Sequence, residues 1–174
     1  GTVSEQSAEA GVDWLDHTSS ALWVDLDNDG DQDLALALES RRVLVMKNDG
    51  RGHFEVAAEL PIDDRHVQGL SSIDYDNDGD LDLLLNNSWG PNVLWKSLLV
   101  EQGRSWFIDA TPEFSLPGGD LRLPTHSFAS AVADFNNDGW PDLYVSNDHK
   151  DPDQFFRNNG PNDQGTVTFT EIAA

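Results

Sequence analysis

Apolar residues along this chain come in short runs. Leu34 to Leu38, Leu81 to Leu85 and Leu143 to Val145 each follow an Asp/Gly-rich stretch and give way to polar residues. Such runs are too short for helices, and with these boundaries they read as buried β-strands. A second apolar segment follows each run and closes on a basic residue: Val43-Leu44-Val45-Met46-Lys47, Val93-Leu94-Trp95-Lys96 and Phe155-Phe156-Arg157. Gly- and Asn-rich turns such as Asn48-Asp49-Gly50 then lead to a further short strand near Phe54, Phe107 and Phe169. Counting the small and apolar residues ahead of each acidic stretch, every unit holds four antiparallel strands.

The acidic stretches are copies of one another. Asp25 to Asp33 (DLDNDGDQD), Asp74 to Asp82 (DYDNDGDLD) and Asp134 to Asp142 (DFNNDGWPD) superimpose without a gap. A histidine (His17, His66, His126) stands eight residues ahead of each first Asp. The repeats are expected over 13–60, 61–116 and 117–174. Residues 1–12 resemble the outer strand of a preceding unit, because Thr2-Val3-Ser4-Glu5 is similar to Phe169-Thr170-Glu171. A four-stranded sheet of this length cannot bury both faces alone, so the units must stack, which is the logic of a β-propeller blade. Closed propellers take about 4 to 8 blades. The expected fold is therefore all-β, three propeller-type blades with two faces left open, a partial propeller or one completed by association.

Composition narrows the partners. The 174 residues include 32 Asp and Glu against 10 Lys and Arg, a formal charge of −22. Nucleic acid is bound by Lys and Arg that release its counterions, so this surface would repel it, and an anionic membrane likewise. With 38% apolar residues, six Trp and eight Phe, the chain is expected to pack a core rather than stay disordered. Cysteine is absent, which removes disulfides, thiolate metal sites and Cys nucleophiles. No run approaches the roughly 18 apolar residues of a membrane span. The first residues carry no charged-then-apolar leader pattern.

The acidic loops have the order a hard cation needs. Ca²⁺ takes roughly 6 to 8 oxygen ligands, and curled carboxylate-rich loops supply them. Alternate positions one, three and five (Asp25, Asp27, Asp29; Asp74, Asp76, Asp78; Asp134, Asn136, Asp138) point inward, and a glycine makes the sharp turn at position six. Position seven (Asp31, Asp80, Trp140) offers its backbone carbonyl, which tolerates a tryptophan, and Asp33, Asp82 and Asp142 close the loop at position nine. The third loop, with Asn136 in place of a carboxylate, is expected to bind most weakly. Without a cation the acids repel one another, so each loop should be loose until metal orders it. An EF-hand would need a Glu at position twelve and flanking helices, whereas Leu36, Leu85 or Val145 stands there inside a strand.

On these windows, on the strands after them, and on the Phe-Phe-Arg-Asn-Asn-Gly and Phe-Thr-Glu-Ile segments, the chain resembles the FG-GAP/VCBS repeat family. That family includes the calcium-binding blades of integrin α-subunit propellers and their bacterial and cartilage acidic protein-like relatives. The Phe-Gly and Gly-Ala-Pro signatures of integrin blades are not visible, which places the chain nearer the bacterial-type VCBS branch. The resemblance implies about three Ca²⁺ ions, one per loop, and an extracellular or periplasmic setting. It also implies a non-catalytic platform for adhesion or for recognising a protein or glycan. An accessory domain of a larger secreted enzyme and a calcium-stiffened scaffold are the alternatives.

Other residues point less far. The histidine triplet would form a transition-metal site only if the three imidazoles converged, so packing against neighbouring blades is expected. Ser71, Ser72, Ser127 and Ser130 lie in no Gly-x-Ser-x-Gly elbow, and the paired Asp residues are better employed as ligands than in glycoside hydrolysis. Trp14 and Trp23 are expected in the core, while Trp89, Trp95, Trp106 and Trp140 are candidates for a sugar-stacking surface. Open blade faces make a homo-oligomer or the remaining blades of a longer parent chain the expected partners.

Overall fold

The computed structural model describes residues 4–14, 16–62, 66–103, 107–116, 119–120, 125–148 and 151–173. Trp106 and the Thr2-Val3 part of the expected leading strand lie outside them. Three four-stranded antiparallel sheets carry the fold, as the strand pattern predicts. The first holds β1 (Thr18–Val24), β2 (Asp33–Leu38), β3 (Arg42–Asn48) and β4 (Phe54–Pro61) in chain order. The second holds β5 (Val67–Ile73), β6 (Asp82–Asn87), β7 (Val93–Ser97) and β8 (Phe107–Asp109). A two-residue pair, β9 (Ser115–Leu116) with β10 (Gly119–Asp120), precedes the third sheet. That sheet holds β11 (Ser127–Ala133), β12 (Asp142–Asn147), β13 (Gln154–Pro161) and β14 (Val167–Glu171).

The sheets stack in chain order with their first strands side by side, β5 packing between β1 and β11. Cross-sheet hydrogen bonds mark these seams: Leu70 N–H donates to Ser20 Oγ at 3.2 Å, and the Ser71 and Ser130 hydroxyls meet at 2.6 Å. Gly69 is required there, because a Cβ on it would lie 2.7 Å from the Phe128 carbonyl oxygen. Each first strand shifts register at the same point, between Thr18 and Ser20, Val67 and Gly69, and Ser127 and Ala129. The bulge thus repeats two residues beyond each histidine.

Period-two alternation along the second strands decides which sheet each side chain meets. Ala35 and Ala37 of β2 pack with Leu83 and Leu85 of β6 in one apolar core between the first two sheets. Leu84 faces the other way and joins Leu143, Val145 and Phe156 of the third sheet, with Tyr75, in a second core. At about 1.5–3 kcal/mol per buried large aliphatic side chain, these interleaved layers make the two seams the main hydrophobic term of the fold.

The three sheets do not close a ring, and their two outer faces differ. On the first sheet Leu34, Leu36, Leu38, Leu44, Met46 and Phe54 form a third apolar cluster, covered by Ala10 and Val12. The outer face of the first sheet is thus partly covered by the chain's own leading segment. Among the described residues the leading segment forms a short helix, α1 (Ser7–Ala10), ended by Gly11 in the left-handed conformation. Apolar Ala10 and Val12 flank that turn and lie on the leucine face. Trp14 and Trp23, expected in the core, are exposed; Trp23 sits on the same side of the sheet, 5.5 Å from the Phe54 ring. The far face of the third sheet leaves Phe135 and Tyr144 exposed, both against the Phe155 ring.

Candidate metal centre

Each acidic loop joins the first strand of its sheet to the second, and the same hydrogen bonds curl all three. The position-one carboxylate accepts the N–H of the position-six glycine: Gly30 to Asp25 (3.1 Å), Gly79 to Asp74 (3.2 Å) and Gly139 to Asp134 (2.9 Å). The position-five carboxylate accepts the N–H two residues on: Asp31 to Asp29 (3.0 Å), Asp80 to Asp78 (3.1 Å) and Trp140 to Asp138 (2.9 Å). The turn needs positive φ twice, at Asn28, Asn77 and Asn137 (57°, 55°, 58°) and at Gly30, Gly79 and Gly139 (94°, 98°, 91°). Asn tolerates the left-handed region and Gly enters it freely, which explains these residue types at positions four and six.

So curled, the loops bring carboxylates together. Asp25, Asp27 and Asp29 present oxygens that all lie within 4.8 Å of one another, as do Asp74, Asp76 and Asp82. A third such group, Asp78, Asp80 and Glu101, adds a residue from α2 (Leu99–Gln102), a helical insertion after β7. Asp25 Oδ1, Asp27 Oδ1 and Asp76 Oδ1 are buried and have no hydrogen-bond donor among the described residues. Hard, clustered, donorless oxygens fit a calcium ion and suit no softer metal as well. In the third loop the Asn136 amide donates to Asp138 Oδ2 at 2.7 Å, so one carboxylate there is already engaged.

The position-nine acids do something the spacing does not announce. Asp33 accepts the N–H of Leu26 (3.0 Å) on one oxygen and of Asn48 (2.9 Å) on the other. Asp82 does the same with Tyr75 (3.1 Å) and Ser97 (2.8 Å), and Asp142 with Phe135 (3.1 Å) and Asn158 (2.8 Å). Each ties its loop to the third strand of the sheet, and Asp82 alone of the three also joins an acid group. Position seven likewise reaches sideways. Asp80 Oδ2 accepts the Val100 N–H at 2.8 Å, and Trp140 lies against Gly160, where a Cβ would come within 2.7 Å of its ring.

Burial sets the titration of the second loop. It pushes Asp82 up to about 8, outweighing its two backbone donors, and raises Asp74, Asp76 and Asp80 as well. Asp33 is raised for the same reason, while the Asp31 N–H holds the exposed Asp29 low.

The basic residues that close the second apolar segments turn toward the acidic loops in the first two sheets. Lys47 pairs with Asp27 and with Asp29 (3.0 Å); Lys96 pairs with Asp76, Asp78 (3.1 Å) and Glu101 (2.9 Å). Arg157, at the same repeat position, instead binds Asn159 Oδ1 at 3.2 Å.

The histidines close the ends of the sheets through their backbones. The carbonyls of His17, His66 and His126 accept the N–H of Glu39, Ser88 and Asp148. The imidazoles go separate ways: His17 pairs with Glu39, and His126 binds Asp151 at 2.7 Å and meets the Trp89 ring of the preceding sheet edge-on at 4.9 Å. The described candidate tryptophans pack in three places, Trp95 against the first core, Trp140 on Gly160 and Trp89 on His126.

Two stretches of the chain match known repeat families. Residues 25–85, which include the first and second loops, match the FG-GAP-like repeat, and residues 128–169, the third sheet with its loop, match the FG-GAP repeat. No curated protein matches the chain. Over these two stretches, which hold all three loops, the chain carries repeats of the FG-GAP family.

Proposed function

We propose that this chain is a calcium-binding segment of propeller-type blades, of the bacterial-type VCBS branch, serving outside the cell as a rigid platform for recognising a protein or glycan. The observation that carries the reading is the convergence of carboxylates in the first two loops, where Asp25, Asp27 and Asp76 each keep one buried oxygen without a donor among the described residues. Asp25, Asp27 and Asp29 would hold one ion, Asp74, Asp76, Asp78 and Asp82 the second, and Asp134, Asn136 and Asp138 the third. The ion supplies charge neutralisation and fixes the loop against its neighbour. FG-GAP repeats are typically extracellular, generally non-enzymatic domains, and millimolar calcium outside cells suits loops of moderate affinity. None of the described helices is long and apolar enough to cross a membrane. Calorimetric titration of chelator-treated protein tests the reading: three ions and a rise in melting temperature are expected, and no binding at millimolar calcium overturns it.

The open third sheet favours a docking role for that face. Phe135 and Tyr144 are 46% and 39% exposed, whereas Tyr75 and Leu84, their equivalents in the second sheet, are 2% and 0% exposed beneath the next sheet. A further blade of a longer parent chain, or a second copy, is the occupant whose shape matches. Light scattering of the purified chain, alone and with a candidate blade, reads this directly.

A further inference from the structure

We infer that Lys47 and Lys96 are tethered competitors for the cation sites of the first two loops, occupying them with an ammonium group that calcium must displace. The inference rests on the calcium reading above and concerns how those sites are regulated. The Lys47 ammonium lies on Asp27 and Asp29, two of the three acids that converge in the first loop. The Lys96 ammonium bridges both acid groups of the second loop, touching Asp76 of one and Asp78 and Glu101 of the other. A calcium ion taken up by the same carboxylates would stand beside the ammonium, and two cations so placed repel.

Each lysine also has somewhere to go. Lys96 borders a cleft of about 350 Å³ shared with Tyr75, Asp76, Pro161 and Val167, at the seam with the third sheet. Lys47 borders one of about 210 Å³ that includes Asp49 and Glu55, two acids able to receive it. The third loop is built otherwise: Arg157 is turned to Asn159, and among the described residues no ammonium enters the loop.

The two lysines differ in grip. Lys96 is 14% exposed and holds three carboxylates, whereas Lys47 is 49% exposed and holds two. Removing the competitor therefore tightens the second loop most, and leaves the third unchanged although that loop has fewer carboxylates. The lysine also neutralises acids that would otherwise repel, so the first two loops keep their curl before metal arrives.

The unaltered protein gives one test. The chain has three lysines, the third being Lys150, which serves as the reference. Treatment with an amine-acetylating reagent, read by mass spectrometry, is expected to modify Lys47 and Lys96 slowly in chelator and several-fold faster in saturating calcium. Calorimetry of variants gives the second. Lys96→Gln should tighten one calcium site about tenfold, Lys47→Gln another by about two- to fivefold, and Arg157→Gln none. Unchanged amine reactivity and unchanged affinities, in a protein that still takes up three ions, would overturn the inference while sparing the calcium reading. A protein that takes up no ion would overturn both.

Discussion

The side-chain amide of Asn77 donates to the carbonyl of Gly139 at 2.8 Å, tying the second acidic loop to the third. Asn28 reaches Gly79 in the same way at 2.9 Å, so each loop grips its successor through the residue at position four. Because that residue also sits at positive φ, two effects separate by substitution. Asn77→Gly keeps the backbone relaxed and loses the bond, about 0.5–1 kcal/mol at this exposed site. Asn77→Ala adds the left-handed penalty of roughly 1 kcal/mol. Thermal melts at fixed calcium should rank wild type, Gly, then Ala, each step costing about 2–4 °C per kcal/mol. Equal losses for the two variants would mean that backbone strain plays no part.

Asp82 makes the stability of the chelated protein fall as pH rises. Its folded pKa, pushed up to about 8, lies well above the ordinary carboxylate value, so between about pH 4 and 8 the unfolded chain releases a proton that the folded one keeps. Asp33, Asp74, Asp76 and Asp80 are raised too and act in the same direction. Urea midpoints in chelator should therefore drop from pH 5 to pH 8, and Asp82→Asn should flatten part of that slope. Calcium binding at neutral pH should release protons from this loop, read as a buffer-dependent heat in calorimetry. A midpoint that climbs with pH in chelator would show that the burial of these acids does not govern the titration.

Local chemistry made the loops and strands legible in the sequence, and distance in the chain hid the rest. Asp/Gly spacing dictates how nine residues curl, so the convergence of Asp25, Asp27 and Asp29, and of Asp74 with Asp76, was legible from the loops alone. Position nine was named as the loop's closing acid, but its tie to the third strand was not visible, because the Asn48, Ser97 and Asn158 N–H groups that engage its oxygens come from 15 or 16 residues away. Lys96 was visible as a recurring basic residue, yet nothing in its spacing places an ammonium among Asp76, Asp78 and Glu101. The leading segment was hidden for a different reason: the contacts that seat it on the first sheet are made by Ala10 and Val12, which no repeat motif marks.

That leading segment acts as a lid on the first sheet. Val12 and Ala10 cover a face built from Leu34, Leu36, Leu44 and Met46, and a Cβ at Gly11 would come within 2.6 Å of the Phe54 carbonyl oxygen. Val12→Asp places a charge against this apolar face and should cost about 1–3 kcal/mol in urea unfolding, with stronger binding of a hydrophobic dye. Gly11→Ala should also destabilise, since it meets both a positive φ and a backbone oxygen. Wild-type stability in both variants would mean that the segment rests on the sheet without holding it.

The two faces of the stack give paired substitutions with opposite outcomes. Leu84 and Tyr144 occupy the same place in successive sheets, but Leu84 is sealed by the third sheet and Tyr144 faces outward, its hydroxyl donating to Asp153 at 2.6 Å. Leu84→Ala removes packed methyl groups and should cost about 2–5 kcal/mol. Tyr144→Ala removes an exposed ring and should cost about 1 kcal/mol or less. If a further blade seats on this face, Phe135→Asp and Tyr144→Asp should abolish its binding in sedimentation without lowering the melting temperature of the chain alone. Burial by a partner is the only difference between the two positions that this contrast needs. A large loss of intrinsic stability on Tyr144→Ala would therefore show the outer ring to be part of the chain's own core, and the docking reading of that face would fall with it.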